Sequence, residues 1–307
     1  MPLPFTLRQL EYFAAIAAEG SLSAAAERCN VSATGLALAL DELERNMEIQ
    51  LVIRRKGKGV ELTSAGSSLL RHAQQLLAGA ESFADQAAQS STGLRGRFVI
   101  GCFPTLAPFF LPAAMEHFGR AHAELELAFA EGSAPELLDL LFKGQIDVAV
   151  LYSVDVSGQV ELEPIRNYRP YVIIATSHRL AKRKKVSLSD LLEEPLIQID
   201  MRPSRQNTEY IFASQGHRPS IRYMTTNYEL ARCMVGRGLG YSLLIQRPAT
   251  LRTYDGHDVA MLELEDDLAQ TTVGLVRPHG APENAKYLAL RDFLIAHTRG
   301  AGLQAPL

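Results

Sequence analysis

Behind Thr6, the apolar positions Leu10, Phe13, Ala14 and Ala17 recur at the spacing of one helix face. Thr6 and Gln9 stand three apart as a capping box and predict where that helix starts. Ser21 and Ser23 open a second helix, in which Ala24, Ala25 and Ala26 allow close approach to a neighbour. The turn Cys29-Asn30-Val31-Ser32 follows, with Val31 as its plug and Cys29 read as core. Ser32 caps a third helix that buries Leu36, Leu40 and Leu43. Residues 49–53 read as a strand, and a basic hairpin around Gly57 leads into a second short strand. Helix, tight turn, helix and wing predict a winged helix-turn-helix, whose second motif helix enters a DNA major groove.

From residue 64 to 89 the pattern changes to one long proline-free helix. Leu69, Ala73, Leu76, Ala80, Phe83 and Ala87 advance alternately by four and three, a heptad seam. At about 1.5 Å per residue this is a rod of roughly 39 Å. Packed alone it would leave its stripe bare, so a homodimer through residues 64–89 is expected, and a dimer suits a pseudo-palindromic duplex. Ser90-Ser91-Thr92-Gly93 reads as a hinge. Strand-like and helix-like runs then alternate, which predicts an α/β fold with mainly parallel strands. Strands are expected at 97–103, 125–130, 147–151, 171–175, 196–199, 221–225, 240–245, 259–264 and 270–276. Helices are expected at 109–121, 135–144, 206–215, 228–235 and 283–297.

The stretch from Leu7 to Gly66 resembles the DNA-binding domain of LysR-type transcriptional regulators, in order and in spacing. GRFVIGCFPTLAPFFLPAAM, LLFKGQIDVAVL and ARCMVGRGLGYSLLI extend the likeness through the later chain. The resemblance implies a winged helix-turn-helix at residues 1–63, a linker helix and hinge at 64–92, and an effector-binding domain at 93–307. That last domain would consist of two α/β subdomains joined by two crossover strands, similar to periplasmic binding proteins. Subdomain I would span about 93–165 and 268–307, and subdomain II about 166–267. The resemblance also implies homotetramers and DNA bending. Two departures stand out: Ala33-Thr34 replace the family's usual Gln-Pro, and Ala37-Leu38-Ala39 replace its polar residues further along that helix.

Composition narrows the partners. With 31 Lys and Arg against 34 Asp and Glu the chain carries −3, which excludes bulk coating of nucleic acid. Residues 1–92 hold 8 basic against 10 acidic side chains, so DNA contact must depend on where charges sit. The wing concentrates them: Arg54, Arg55, Lys56 and Lys58 surround Gly57, where phosphates would lie. Arg8, Ser21 and Ser23 are further candidates for the DNA backbone, their alternatives being solvation and capping. Between Ser32 and Asp41 there is no Lys, Arg, Gln or Asn, so Thr34 is the best base-reading candidate left, with Ser32 a further candidate for DNA contact. No apolar run approaches membrane length and no secretory leader opens the chain, so a cytoplasmic protein is expected. Cys29, Cys102 and Cys233, isolated and without CxxC, agree with a reducing compartment.

Three polar residues, Thr105, Ser133 and Asn227, stand just before helices in the later domain. Ser133 and Glu136 already form a capping box, yet such helix N-termini also offer free N–H groups to an anion. By position, Thr105 and Ser133 match residues that hold inducers in the resembled family. Arg202 and Arg205 follow a strand end and could clamp a carboxylate, so a small anionic effector is expected. Lys182 to Lys185 reads as a solvated basic turn, and Gly236-Arg237-Gly238-Leu239-Gly240 precedes a strand, not a helix, which rules out a dinucleotide cradle. The eight histidines lack metal-ligand spacing and no catalytic triad or carboxylate pair stands out, so neither enzyme nor cofactor is expected. The alternative is a solute-binding or enzymatic α/β protein whose first 92 residues only oligomerise. A disulfide redox switch is a third reading, although the paired cysteines of peroxide-sensing relatives have no counterpart around 200–212.

Overall fold

A computed structural model describes residues 3–55, 59–88, 94–156 and 158–300 of the chain. Its head consists of α1 (Leu7–Glu19), α2 (Leu22–Arg28) and α3 (Ala33–Asn46), followed by β1 (Val52–Arg55) and β2 (Gly59–Leu62). The capping box at the start of α1 is formed: Gln9 Oε1 accepts the Thr6 N–H at 2.8 Å while Thr6 Oγ1 accepts the Gln9 N–H at 3.2 Å. Phe13, Ile16, Ala25, Leu36, Leu40 and Leu43 meet in a core that excludes solvent.

The wing is held from two sides. Glu44 on α3 accepts the N–H groups of Leu51 at 2.6 Å and Val52 at 3.0 Å. The Val60 N–H, from the other strand, donates to Gly20 O at the end of α1 at 2.8 Å. A single carboxylate therefore fixes the wing's first strand against α3.

The linker helix α4 (Ser64–Ala88) starts under Thr63, whose hydroxyl accepts the Gly66 N–H at 2.8 Å. Gly66 is required there, because a Cβ would lie 2.0 Å from Leu51 O. The first half of α4 packs on α1 and buries Leu70 and Ala73 in the head core. Ala73 of the expected seam thus faces its own chain. Leu76 and Phe83, one heptad apart, stay 48% and 76% exposed.

The chain continues through β3 (Gly96–Cys102), α5 (Ala107–Ala121), β4 (Leu125–Glu131), α6 (Ala134–Phe142), β5 (Val148–Tyr152) and β6 (Val160–Tyr168). Next come β7 (Tyr171–Ala175), β8 (Lys185–Val186), β9 (Pro195–Ile199), α7 (Ser204–Ser214), β10 (Ser220–Thr225) and α8 (Tyr228–Gly236). The chain ends through β11 (Ser242–Leu244), β12 (Val259–Leu264), β13 (Thr271–Pro278) and α9 (Ala285–Gly300). One sheet has the order β4-β3-β5-β13-β6. A second has the order β11-β7-β12-β8 and is bridged to the β10-β9 pair between Leu196 and Tyr241.

The sheets are mixed, not mainly parallel. β3 runs parallel to β4 and β5, whereas β13 returns antiparallel to both β5 and β6. The chain leaves the first sheet after Tyr168 and re-enters it at Thr271, so β6 and β13 lie side by side as the two crossings. The nine-residue β6 is the one long strand that the residue pattern did not predict.

Candidate functional sites

On the head, the outer face of α3 carries Thr34 and Leu38, both exposed, with Leu38 at 63%. The Ser32 hydroxyl is engaged as the cap, accepting the Gly35 N–H at 3.0 Å, and Ser21 caps α2 in the same way. Ser23 is exposed beside it in the first turn of α2. Arg8 is exposed on α1 and donates from Nε to the Tyr12 hydroxyl at 3.1 Å.

The two described wing arginines are not bare. Arg54 is ion-paired with Asp41 of α3, and Arg55 with Glu61 across the hairpin at 3.1 Å. Lys56 and Lys58 lie outside the described residues. Exposed pairs of this kind are worth about 0–1 kcal/mol, so a phosphate can displace either carboxylate. Sequence reading missed Leu38 and the exposed Arg45 in the last turn of α3. The signal for Leu38 was its place between the buried Leu36 and Leu40, where helical pitch turns it outward.

A second site lies between the two sheets of the effector domain. It is a cavity of about 30 Å³ with Thr105, Tyr152, Ser204, Asn207, Tyr228 and Gln246 in its wall. Thr105 Oγ1 and the Tyr152 hydroxyl are 2.9 Å apart and both residues are buried. Tyr152 ends β5 and Ile199 ends β9, so the cavity sits where α/β sheets place ligands, beyond the C-terminal strand ends. Tyr228 of its wall meets Phe109 of α5 edge to face at 6.3 Å between ring centres.

Gln246 is the feature that sequence reading did not find. Its backbone carbonyl accepts two phenols, Tyr171 at 2.6 Å and Tyr228 at 2.9 Å. Its side chain is 1% exposed and lies beside the Tyr152 hydroxyl, yet neither Nε2 nor Oε1 has a well-formed hydrogen bond. An unsatisfied buried amide costs about 1–3 kcal/mol, which a ligand could return. Burial pushes the Tyr152 phenol well above its ordinary value, against smaller opposite effects from Thr105 and Gln246. Burial likewise pushes Tyr171 up to about 12.

Of the expected effector contacts, only Thr105 lines this cavity. Arg202 donates to Gln206 Oε1 at 2.9 Å, and Arg205 pairs with Glu209 at 3.0 Å and Asp200 at 3.3 Å. Both arginines are exposed outside the wall, and no charged side chain belongs to it. Arg202 stands before α7, and α7 turns Arg205 outward and Ser204, Asn207 and Thr208 inward. Ser133 donates to Glu136 Oε2 from N at 2.7 Å and from Oγ at 2.6 Å. Asn227 caps α8 by accepting the Leu230 N–H at 2.9 Å. Both serve as caps outside the wall.

All three cysteines are reduced. Burial raises each thiol above its usual range, Cys102 most of all, and none lines the cavity.

Comparison with known proteins accounts for both sites at once. Residues 7–67 match the model of the bacterial regulatory helix-turn-helix protein, lysR family. Residues 91–299 match that of the LysR substrate binding domain. A hydrogen peroxide-inducible genes activator of Pectobacterium carotovorum subsp. carotovorum is 28% identical over 96% of this chain and 97% of its own. Among solved structures, a putative LysR family regulator from Pseudomonas aeruginosa is 32% identical over 96% of this chain and 100% of that one, with a TM-score of 0.65. HinK, a LysR family transcriptional regulator from the same organism, is 33% identical over 95% of this chain and 98% of that one, with a TM-score of 0.63. A head that offers a helix and a wing to DNA, and a second domain built around a ligand cleft, thus recur together, and the chain belongs to the LysR family of transcriptional regulators.

Proposed function

We propose that this regulator acts in the cytoplasm on a dyad DNA site, as a homodimer joined through α4 and assembled further into a homotetramer. In this reading Thr34 and Leu38 meet base edges, the hydroxyl and methyl of one and the apolar side chain of the other suiting thymine methyl groups. Arg8, Ser21, Ser23, Ser32, Arg54, Arg55, Lys56 and Lys58 contact the backbone. The exposed Leu76 and Phe83 support the dimer, because a partner helix is what covers an apolar heptad step.

The effector is a small molecule with an anionic group, held in the cleft without an arginine. Three helix N-termini border that cavity: Thr105 precedes α5, Ser204 begins α7 and Tyr228 begins α8. Their N–H groups and partial positive charge suit an anion. The single observation that carries the reading is the buried Gln246 amide beside them, which makes no well-formed hydrogen bond. The relatives named for hydrogen peroxide suggest a redox signal instead. Peroxide sensing by a thiol needs a lowered pKa, and here burial raises all three.

The test is binding to a fluorescent duplex from upstream of the protein's own gene, against scrambled DNA, at several salt concentrations. A preference of about a thousandfold or more is expected, the lower end for specific binders. A steep salt slope without preference would overturn the base-reading part.

A further inference from the structure

A cavity of about 360 Å³ separates the head from the effector domain, twelve times the volume enclosed in the cleft. Its walls come from three parts of the chain: α1 and α2, the linker helix α4 that packs on α1, and two turns of the effector domain at residues 143–147 and 278–282. Two hydrogen bonds tie these parts together. Gln145 Nε2 donates to Ala18 O at 2.8 Å and Gln75 Nε2 donates to His279 O at 2.8 Å.

The wall chemistry is lopsided. Leu77, Leu141, Ile146 and Pro282 supply apolar surface. Arg28, Arg71 and Lys143 supply three cations against the carboxylates of Glu11 and Asp147. Most of this charge is already engaged: Arg28 with Glu19 at 3.1 Å, Lys143 with Asp139 at 2.6 Å, and Asp147 with the Val99 N–H at 2.6 Å. Glu11 is exposed to solvent, which weakens its field. Arg71 is half-buried and has no hydrogen bond or ion pair among the described residues. One turn along α4, Gln74 keeps its Nε2 buried without a partner. Gly144 leaves room for that amide, since a Cβ there would stand 3.0 Å from it. A half-buried guanidinium and an orphaned amide N–H on one helix face, above an apolar floor, form an acceptor-seeking pair.

We propose that this junction is a second ligand site, which takes a small organic monocarboxylate with an apolar body. The carboxylate accepts from Arg71 and Gln74, and the body covers Leu77, Leu141 and Ile146. Because the ligand touches the effector domain and the linker helix that packs on the head, it favours the arrangement in which they surround it. Occupancy therefore changes DNA affinity independently of the cleft.

The experiment is calorimetric titration of the full-length protein with octanoate, with octan-1-ol and octylamine as neutral and cationic matches. Octanoate is expected to bind at least about tenfold more tightly than either, the loss that one charged hydrogen bond accounts for. Arg71→Gln should weaken octanoate about tenfold, Arg71→Lys should restore part of that, and Ala78→Leu should weaken it by filling the cavity. Thr105→Val, in the cleft, should leave it unchanged. The proposal is overturned if octanoate does not bind, if octylamine binds as well, or if Thr105→Val abolishes binding while Arg71→Gln does not. Calorimetry reads all of this without DNA, so failure of the DNA-site reading would be seen separately, in the duplex assay.

Discussion

At the scale of single residues, the two domains use buried polar groups in opposite ways. Glu44 is satisfied: two backbone N–H groups converge on one carboxylate oxygen and the wing is held by it. Glu44→Ala should cost about 2 kcal/mol or more, since it orphans both donors, and denaturant unfolding of the head would measure it. Gly66→Ala belongs to the same junction and should cost about 1–3 kcal/mol through the clash with Leu51 O, read by the same unfolding curve. Gln246 is the opposite case, because its buried amide makes no well-formed hydrogen bond. Gln246→Leu should therefore raise thermal stability, by about 1 kcal/mol, while abolishing the response to effector. A merely structural glutamine would give the reverse, a lower melting temperature. The cleft phenols add a pH dependence. Burial raises Tyr171 to about 12, above its unfolded value of about 10, so its contribution is intact below about pH 10 and lost as pH rises toward 12. Ultraviolet titration should show phenol ionisation arriving together with unfolding over that interval.

At the scale of elements, most of the fold was legible because period and caps were strong. Thr6 with Gln9, and Leu36 with Leu40 and Leu43, suffice to place α1 and α3. β6 escaped because Pro164 interrupts its run and its burial pattern is irregular; it owes its place to pairing with β13, some hundred residues on. The same limit applied to the sites. Thr105 was found because it stands just before a helix, but Tyr152 and Gln246 join it only through sheet packing. Arg202 and Arg205 are candidates by their place after a strand end, but the fold sets side-chain direction: the pitch of α7 points Arg205 outward, paired to Glu209 one turn on, while Arg202 precedes the helix. The α4 seam was half legible: Ala73 is taken by the head, leaving Leu76 and Phe83. Leu76→Asp with Phe83→Asp should give a folded monomer in sedimentation and weaken DNA binding, whereas unchanged mass would remove α4 from the dimer contact.

At the scale of the whole molecule, head and effector domain communicate through few contacts. Gln145 and Gln75 carry the bridging hydrogen bonds, each from a side-chain amide to a backbone carbonyl. The double variant Gln145→Ala, Gln75→Ala should leave melting of the effector domain unchanged but reduce the effect of any ligand on DNA affinity. Titration of duplex binding with and without octanoate would read that loss of coupling.

The small volume of the cleft has a consequence for timing. About 30 Å³ admits a water or two, so a metabolite fits only after the two lobes part. Uptake should then obey a ceiling: as concentration rises, the observed rate levels off at the frequency with which the lobes separate. Such a regulator averages over brief bursts of its signal and responds to sustained supply, with a delay written into the hinge strands β6 and β13 and not into the affinity of the pocket.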